Sequence, residues 1–219
     1  MLSMFRTISR QLFLLIKNQW EFIKKYGVAE YIIRIRKKAL RPIKDFIFGK
    51  EWFRKGARED LRVIKKIFKK KRIQFFLIYG TCLGAIREGD FVEHDDDIDL
   101  GVIERTFFEK RKEICKELRS EGFNIIRYER YDGCSRIICK RKVETSIHWF
   151  QKEGENFVWR DKKGNLELQI PAELLGKFKE VNLGEERFLV PDPPEIYLER
   201  TYSDWKTPQK RAHTNRIIN

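Results

Sequence analysis

The sequence predicts an α+β fold, in which a mixed sheet is flanked by helices and preceded by a basic helical segment. Short apolar runs between turn residues indicate strands, and amphipathic repeats on either side of them indicate helices. Charge is uneven along the 219 residues, because residues 1–72 hold 22 of the 47 basic and 6 of the 33 acidic groups. Residues 73–219 are therefore nearly neutral, and we expect two parts, a basic segment over residues 1–56 and a globular domain over residues 57–219.

The N-terminal segment carries apolar residues at helical spacings of three and four. They are Phe5, Ile8, Leu12, Leu15, Ile16, Trp20 and Ile23. This pattern predicts a basic amphipathic helix that either lies on an anionic membrane surface or packs on the domain or on a second copy of the chain. No stretch approaches the ~20 apolar residues that a spanning helix needs. We expect a cytoplasmic protein, with the inner membrane face as its peripheral site if the helix binds lipid.

The first part of the domain predicts a helix, a strand and a glycine turn in succession. A helix over Ala57–Lys71 leads into the apolar, aromatic-rich run Ile73–Tyr79, which is typical of a buried strand. Gly80 and Gly84 follow, and glycines let the backbone approach a ligand such as a phosphate closely.

Four aspartates follow the glycines. Asp97 and Asp99 alternate with Ile98 and Leu100, so a strand here would place both carboxylates on one face and the apolar residues in the core. Neighbouring carboxylates on a rigid strand repel each other unless a cation neutralises them. Oxygen ligands of this kind favour Mg²⁺ or Mn²⁺, bound together with substrate phosphates. By the same alternation, Asp96 would point to the other face.

The rest of the domain alternates between predicted helices and short strands. The predicted helices are Arg105–Ser120, Ala172–Leu175 and Glu195 to about Trp205, and the predicted strands are Phe123–Tyr128, Ser135–Lys140, Val143–Phe150, Phe157–Arg160, Leu166–Ile170, Phe178–Val181 and Arg187–Val190. The four cysteines form no CxxC pair, which favours reduced, buried thiols over a zinc site. The nearly neutral charge of the domain argues against nucleic acid as a partner at its active site.

One segment carries a long motif. It comprises Gly80, Thr81, Leu83, Gly84, Ala85, Arg87, Phe91, Val92, His94, Asp95, Asp96, Asp97, Ile98, Asp99, Leu100 and Gly101. This pattern resembles the LicD family, including its fukutin-related branch. The resemblance implies a nucleotidyltransferase (polymerase-beta-like) fold. It also implies transfer of a phospho-alcohol, such as phosphocholine or ribitol phosphate, from a CDP-linked donor to a hydroxyl of a glycan or lipid-linked glycan.

Two other functions remain open at this point. The chain could be a nucleotidyltransferase acting on a small molecule or RNA, since the aspartate geometry is shared. It could also be a degenerate, non-catalytic family member that acts as a membrane-bound assembly partner.

The resemblance also implies roles for individual residues. Asp95, Asp97 and Asp99 match the family's metal-binding and catalytic aspartates, with Mg²⁺ or Mn²⁺ as the cofactor. The expected phosphate-binding residues are Gly80, Thr81, Gly84 and Arg87. For Arg87 an equal alternative is a structural ion pair that braces the aspartate loop.

The sequence departs from the family pattern at one expected ligand. Ser146 stands where the pattern V-D-[IL]-[HWF]-x-F has an aspartate. Glu144 and His148 share a strand face with Ser146. We predict that Glu144 completes the metal site, with His148 as a less favoured ligand or proton acceptor. The run Val190–Pro208 is a second match to the family and predicts a helix packed on the domain.

Overall fold

The computed structural model describes residues 51–93, 95–103, 105–131, 134–160, 166–202 and 204–208, together with Val28. The chain divides into two compact units, residues 1–51 and 52–219. The predicted N-terminal amphipathic helix and its membrane contact lie outside the described residues, as do His94 of the motif and Ser203 of the C-terminal match.

The second unit combines five helices and ten strands within its described residues. In chain order they are α1 (Glu51–Lys71), β1 (Phe76–Leu77), α2 (Tyr79–Arg87), β2 (Asp97–Val102), α3 (Arg105–Ser120), β3 (Asn124–Tyr131), β4 (Cys134–Lys140), β5 (Glu144–Trp149), β6 (Gln151–Glu153), β7 (Asn156–Arg160), β8 (Leu166–Pro171), α4 (Ala172–Leu175), β9 (Phe178–Leu183), β10 (Glu186–Pro191) and α5 (Pro194–Thr201). The α+β class is therefore confirmed.

The main sheet has five strands in the order β1-β2-β5-β4-β3. Strands β2 and β5 run parallel, whereas the other neighbouring pairs are antiparallel, so the sheet is mixed as predicted. Two smaller antiparallel sheets follow, β6-β7-β8 and β9-β10. The parallel pair places Asp97 beside Glu144 and Asp99 beside Ser146.

Two amphipathic helices share the core with the apolar side of β2. Leu61, Ile64 and Phe68 of α1 and Ile114 and Leu118 of α3 are fully buried. Ile98, Leu100 and Val102 are also fully buried, which confirms the alternation predicted for this strand. Burial of this apolar stripe fixes which face of β2 carries the aspartates.

Helix α1 is anchored to the turn between β4 and β5 by a buried carboxylate. Asp60 is fully buried, and it accepts hydrogen bonds from Arg141 Nε at 2.8 Å and from the backbone N–H groups of Lys142 at 2.9 Å and Val143 at 3.0 Å. Gly56, one turn earlier, lets this turn approach the helix, because a methyl group there would lie 3.0 Å from Cβ of Lys142. Asp60 thus fixes the start of β5, immediately before Glu144.

The first predicted strand and glycine turn are corrected by the structure. The run Ile73–Tyr79 forms only the two-residue strand β1, and the chain enters α2 at Tyr79. Gly80 and Gly84 therefore lie within a helix. The predicted domain boundary after residue 56 falls inside α1, which begins at Glu51.

Candidate metal centre and active site

The glycines of α2 allow the chain before β2 to pack against the helix. A methyl group at Gly84 would lie 2.4 Å from the carbonyl oxygen of Asp90, and one at Gly80 would lie 2.6 Å from Oδ2 of Asp95. Side chains at these positions would therefore collide with the segment that leads to the aspartates. In this structure the groups that approach the two glycines closely are the backbone near Asp90 and the Asp95 carboxylate.

Hydrogen bonds tie the N-terminus of α2 to Asp99. The backbone N–H of Asp99 donates to Oγ1 of Thr81 at 2.9 Å, and the N–H of Ile78 donates to the carbonyl oxygen of Asp99 at 3.2 Å. Thr81 is fully buried. Its hydroxyl therefore holds β2 in place, a role that the motif alone did not indicate.

Three consecutive carboxylates converge just before and at the start of β2. One oxygen from each of Asp95, Asp96 and Asp97 lies within 4.8 Å of the others, which is compatible with a single bound cation. The prediction that Asp96 points away is wrong, because β2 begins at Asp97 and strand alternation does not extend to Asp95 and Asp96. Asp99 is not a member of this three-residue group.

Burial and mutual repulsion act on two of these carboxylates. Burial, followed by the negative charges of Asp97, Asp99 and Asp96, raises the pKa of Asp95 well above its ordinary value. Burial also raises the pKa of Asp99 to about 7, against the opposing effect of the Arg136 guanidinium. A carboxylate cluster that resists ionisation in this way is the electrostatic setting that a divalent cation would stabilise.

The parallel strand β5 brings three further polar residues to the same face. Glu144 and Ser146 are the register partners of Asp97 and Asp99, and His148 is the partner of Gly101. Nε2 of His148 lies 3.5 Å from Oδ1 of Asp99. Glu144, Ser146 and His148 share one strand face, as predicted, and the register places that face beside the aspartate strand. The negative charge of Glu144 contributes to the raised pKa of Asp99.

Arg87 forms an ion pair with Glu88 and a hydrogen bond to the segment after α5, and its predicted role in phosphate binding stays a prediction. Its guanidinium donates to the carbonyl oxygen of Trp205 at 3.1 Å and to Oε1 of Glu88 at 2.8 Å. The first contact attaches the segment after α5 to α2. Because the acceptor is a backbone oxygen, this contact links the two matching segments without depending on the tryptophan side chain.

Sequence reasoning missed the contribution of α5. The buried Tyr197 hydroxyl accepts the backbone N–H of Tyr79 at 3.1 Å and so caps α2 at its N-terminus. Tyr79 adopts a φ of 46°, an unusual conformation for a residue other than glycine. The sequence predicted that Tyr197 packs on the domain, but it did not indicate which group its hydroxyl would bind.

Comparisons with known proteins agree with the motif. The family model described as LicD/FKTN/FKRP, nucleotidyltransferase domain, matches residues 72–192. Fifty residues are 40% identical to the ribitol-5-phosphate transferase FKTN of Homo sapiens, and the same holds for FKTN of Mus musculus. These matches cover 23% of this chain and 11% of each relative's length.

Two solved structures are similar to part of this chain. The lincosamide antibiotic adenylyltransferase LnuA, bound to lincomycin, is 14% identical, with a TM-score of 0.45 over 64% of this chain and 83% of that chain. The antibiotic-resistance factor ANT(2'')-Ia is 16% identical, with a TM-score of 0.35 over 45% of this chain and 49% of that chain. The family model covers more than half of the sequence, and on that ground the chain belongs to the LicD/FKTN/FKRP nucleotidyltransferase-domain family.

Proposed function

We propose that this protein is a metal-dependent transferase that moves a phospho-alcohol from a CDP-linked donor to a glycan hydroxyl. The observation that carries the proposal is the convergence of Asp95, Asp96 and Asp97 on one point, next to Asp99 and Glu144 on paired strands. The family model and the local similarity to ribitol-5-phosphate transferases support this reaction class.

The residues fit a divalent cation of the Mg²⁺ or Mn²⁺ type. The donor set consists of hard carboxylate oxygens. Burial, and after it repulsion by the neighbouring aspartates, raises the pKa of Asp95, and a bound cation would offset both effects. Asp95, Asp97, Asp99 and Glu144 are the proposed ligands. We also propose Asp96, because its carboxylate lies close to those of Asp95 and Asp97. A bound cation would neutralise charge that develops on the donor's diphosphate.

The chain's own groups would orient the donor. Gly80 lies in the first turn of α2, where backbone N–H groups have no partner within the helix and the helix dipole favours an anion. Thr81 is fully buried and would act through its hydrogen bond with Asp99. In the reaction, the acceptor oxygen would bond to the phosphorus that carries the alcohol. The bond from that phosphorus to the bridging oxygen would break, CMP would leave, and the acceptor hydroxyl would lose its proton.

Measurement of CMP release tests the proposal directly. The full chain is incubated with CDP-ribitol, CDP-glycerol or CDP-choline and a glycan acceptor, with Mg²⁺ or with excess chelator. We expect CMP release that requires the cation. Incorporation of a nucleotide from CTP or ATP, without CMP release from any CDP-alcohol, would favour a nucleotidyltransferase instead. No turnover of any of these donors would favour a non-catalytic family member. That outcome would agree with the serine at position 146, where the family pattern has an aspartate.

The Asp97→Asn variant tests the cation site. It should abolish transfer, and it should raise the melting temperature of the metal-free protein because one repelling charge is removed. Glu180→Gln is a matched control, since it removes one charge from an exposed position on β9, where the carboxylate pairs with Arg187. Full activity of Asp97→Asn would contradict the site.

A further inference from the structure

The site face of the main sheet extends from the aspartates across β5 to β4. Arg136 of β4 lies directly opposite His148 of β5, and directly opposite residues in an antiparallel pair project to the same face. His148 in turn shares the face of Asp99, which it contacts. A positively charged side chain therefore projects from the same face as the carboxylates.

A buried tryptophan holds the Arg136 side chain in place. The guanidinium carbon of Arg136 lies 5.4 Å from the centre of the Trp159 ring, within the range of a cation–π contact. Trp159, which belongs to β7, meets the His148 ring edge-on with 4.9 Å between ring centres. Arg136, Trp159 and His148 thus contact one another in series, and His148 contacts Asp99, so packed rings link the guanidinium to the aspartate strand.

The charge of Arg136 acts on the site. Its positive charge lowers the pKa of Asp99 against the larger effect of burial. Arg87, the arginine that the motif singled out, instead contacts the Trp205 carbonyl and Glu88. Arg136 is thus placed to supply positive charge beside the carboxylates.

We propose that Arg136, held by Trp159 and His148, is the residue that binds the diphosphate of the donor. The inference rests on the proposed function, because it assumes a donor with a diphosphate. A guanidinium offers paired N–H donors to phosphate oxygens, and a site with several carboxylates needs a cationic group of its own to accept an anionic donor. Trp159 and His148 are positioning residues in this arrangement.

Binding experiments with two probes test the role of Arg136 without measuring turnover. Calorimetric titration of the full chain with CDP in the presence of Mn²⁺ reports donor binding, and titration with Mn²⁺ alone reports the carboxylate site. We expect Arg136→Gln to weaken CDP binding about tenfold or more, and Arg136→Lys to restore part of it. Affinity for Mn²⁺ alone should be unchanged or higher in Arg136→Gln, because a positive charge beside the carboxylates is removed.

A purely structural role for Arg136 would give a different result. Loss of local folding in Arg136→Gln would weaken Mn²⁺ and CDP binding together, and that outcome would contradict the inference. Arg160→Gln is the matched control, because Arg160 also projects from a strand but pairs with Glu153 at 2.8 Å, and it should bind both probes as wild type does.

Inorganic pyrophosphate separates failure of this inference from failure of the proposed function. Wild type that binds pyrophosphate but not CDP would contradict the CDP-linked donor, while loss of pyrophosphate binding in Arg136→Gln would still support the role of Arg136. The inference is overturned if Arg136→Gln binds CDP and pyrophosphate as tightly as wild type does. It is also overturned if wild type binds neither CDP nor pyrophosphate.

Discussion

Removal of the Asp60 carboxylate should destabilise the domain severely, although this residue lies outside the aspartate cluster. Its two oxygens accept one hydrogen bond from Arg141 and two from the backbone N–H groups of Lys142 and Val143. The carboxylate is fully buried, so water cannot replace it without a rearrangement of the turn. In Asp60→Ala both N–H groups lose their acceptor and the guanidinium loses its counter-ion.

The magnitude follows from these contacts. A buried donor without a partner costs about 1–3 kcal/mol, and two backbone N–H groups lose their acceptor here. Loss of the counter-ion adds less, because the Arg141 side chain is 24% exposed and stays partly solvated. These effects overlap because they share one carboxylate, so we expect Asp60→Ala to lower the free energy of unfolding by about 3–5 kcal/mol. Asp60→Asn keeps one carbonyl oxygen for the turn and should cost less.

Urea denaturation followed by tryptophan fluorescence measures this loss. Glu59→Ala is the matched control, since Glu59 is the preceding residue of α1 and its carboxylate lies 3.9 Å from Nζ of Lys142 on the surface. We expect that variant to lose less than about 1 kcal/mol. A loss of under about 1 kcal/mol in Asp60→Ala would refute the reasoning, because it would mean that the turn finds other acceptors at little cost.

Three further outcomes are expected. Glu144→Gln should weaken Mn²⁺ affinity strongly, and Ser146→Ala should weaken it only mildly, as measured by calorimetric titration. Unchanged Mn²⁺ affinity in Glu144→Gln would show that Glu144 is not a ligand. Tyr197→Phe should lower the free energy of unfolding by about 1–2 kcal/mol, because the Tyr79 N–H loses its acceptor; an unchanged urea midpoint would contradict this. Burial raises the pKa of Asp99 from 3.8 to about 7, so its protonation should weaken Mn²⁺ binding as the pH falls through 7. In the metal-free protein the same raised pKa means that the folded state holds a proton the unfolded state has lost, so the contribution of Asp99 to stability should fall as the pH rises from 4 to 7. Melting temperatures measured between pH 4 and 7 test this direction. The reasoning would be contradicted if neither the melting temperature nor the Mn²⁺ affinity changed with pH.

The strand that carries the aspartates could be predicted because its signal is local. Asp97 and Asp99 alternate with residues that are fully buried, and burial of an apolar stripe leaves only one register for the strand. The alternation predicts nothing about residues before the strand. For that reason the position of Asp96 was predicted wrongly.

The start of α2 could not be predicted from local propensity. Two glycines and a threonine disfavour a helix at Tyr79–Arg87, and the apolar run before them is typical of a strand. The helix is stabilised instead by distant partners, including Tyr197 at its N-terminus and the segment at Asp90 that packs on Gly84. The places of Asp60 and Arg136 depend in the same way on contacts between residues far apart in the sequence.

The parallel pairing of β2 with β5 has a consequence for how the site comes into being. Strands β3 and β4 and helix α3 all lie between these two strands in the sequence, so Asp97 and Glu144 become neighbours only after that whole crossover has formed. Contacts of such long sequence separation are slow to form. Nascent or partly folded chains would therefore hold the consecutive aspartates without Glu144 beside them, and the proposed cation site would be complete only after β2 and β5 have paired. The cation would then stabilise finished molecules selectively, by mass action on the native state.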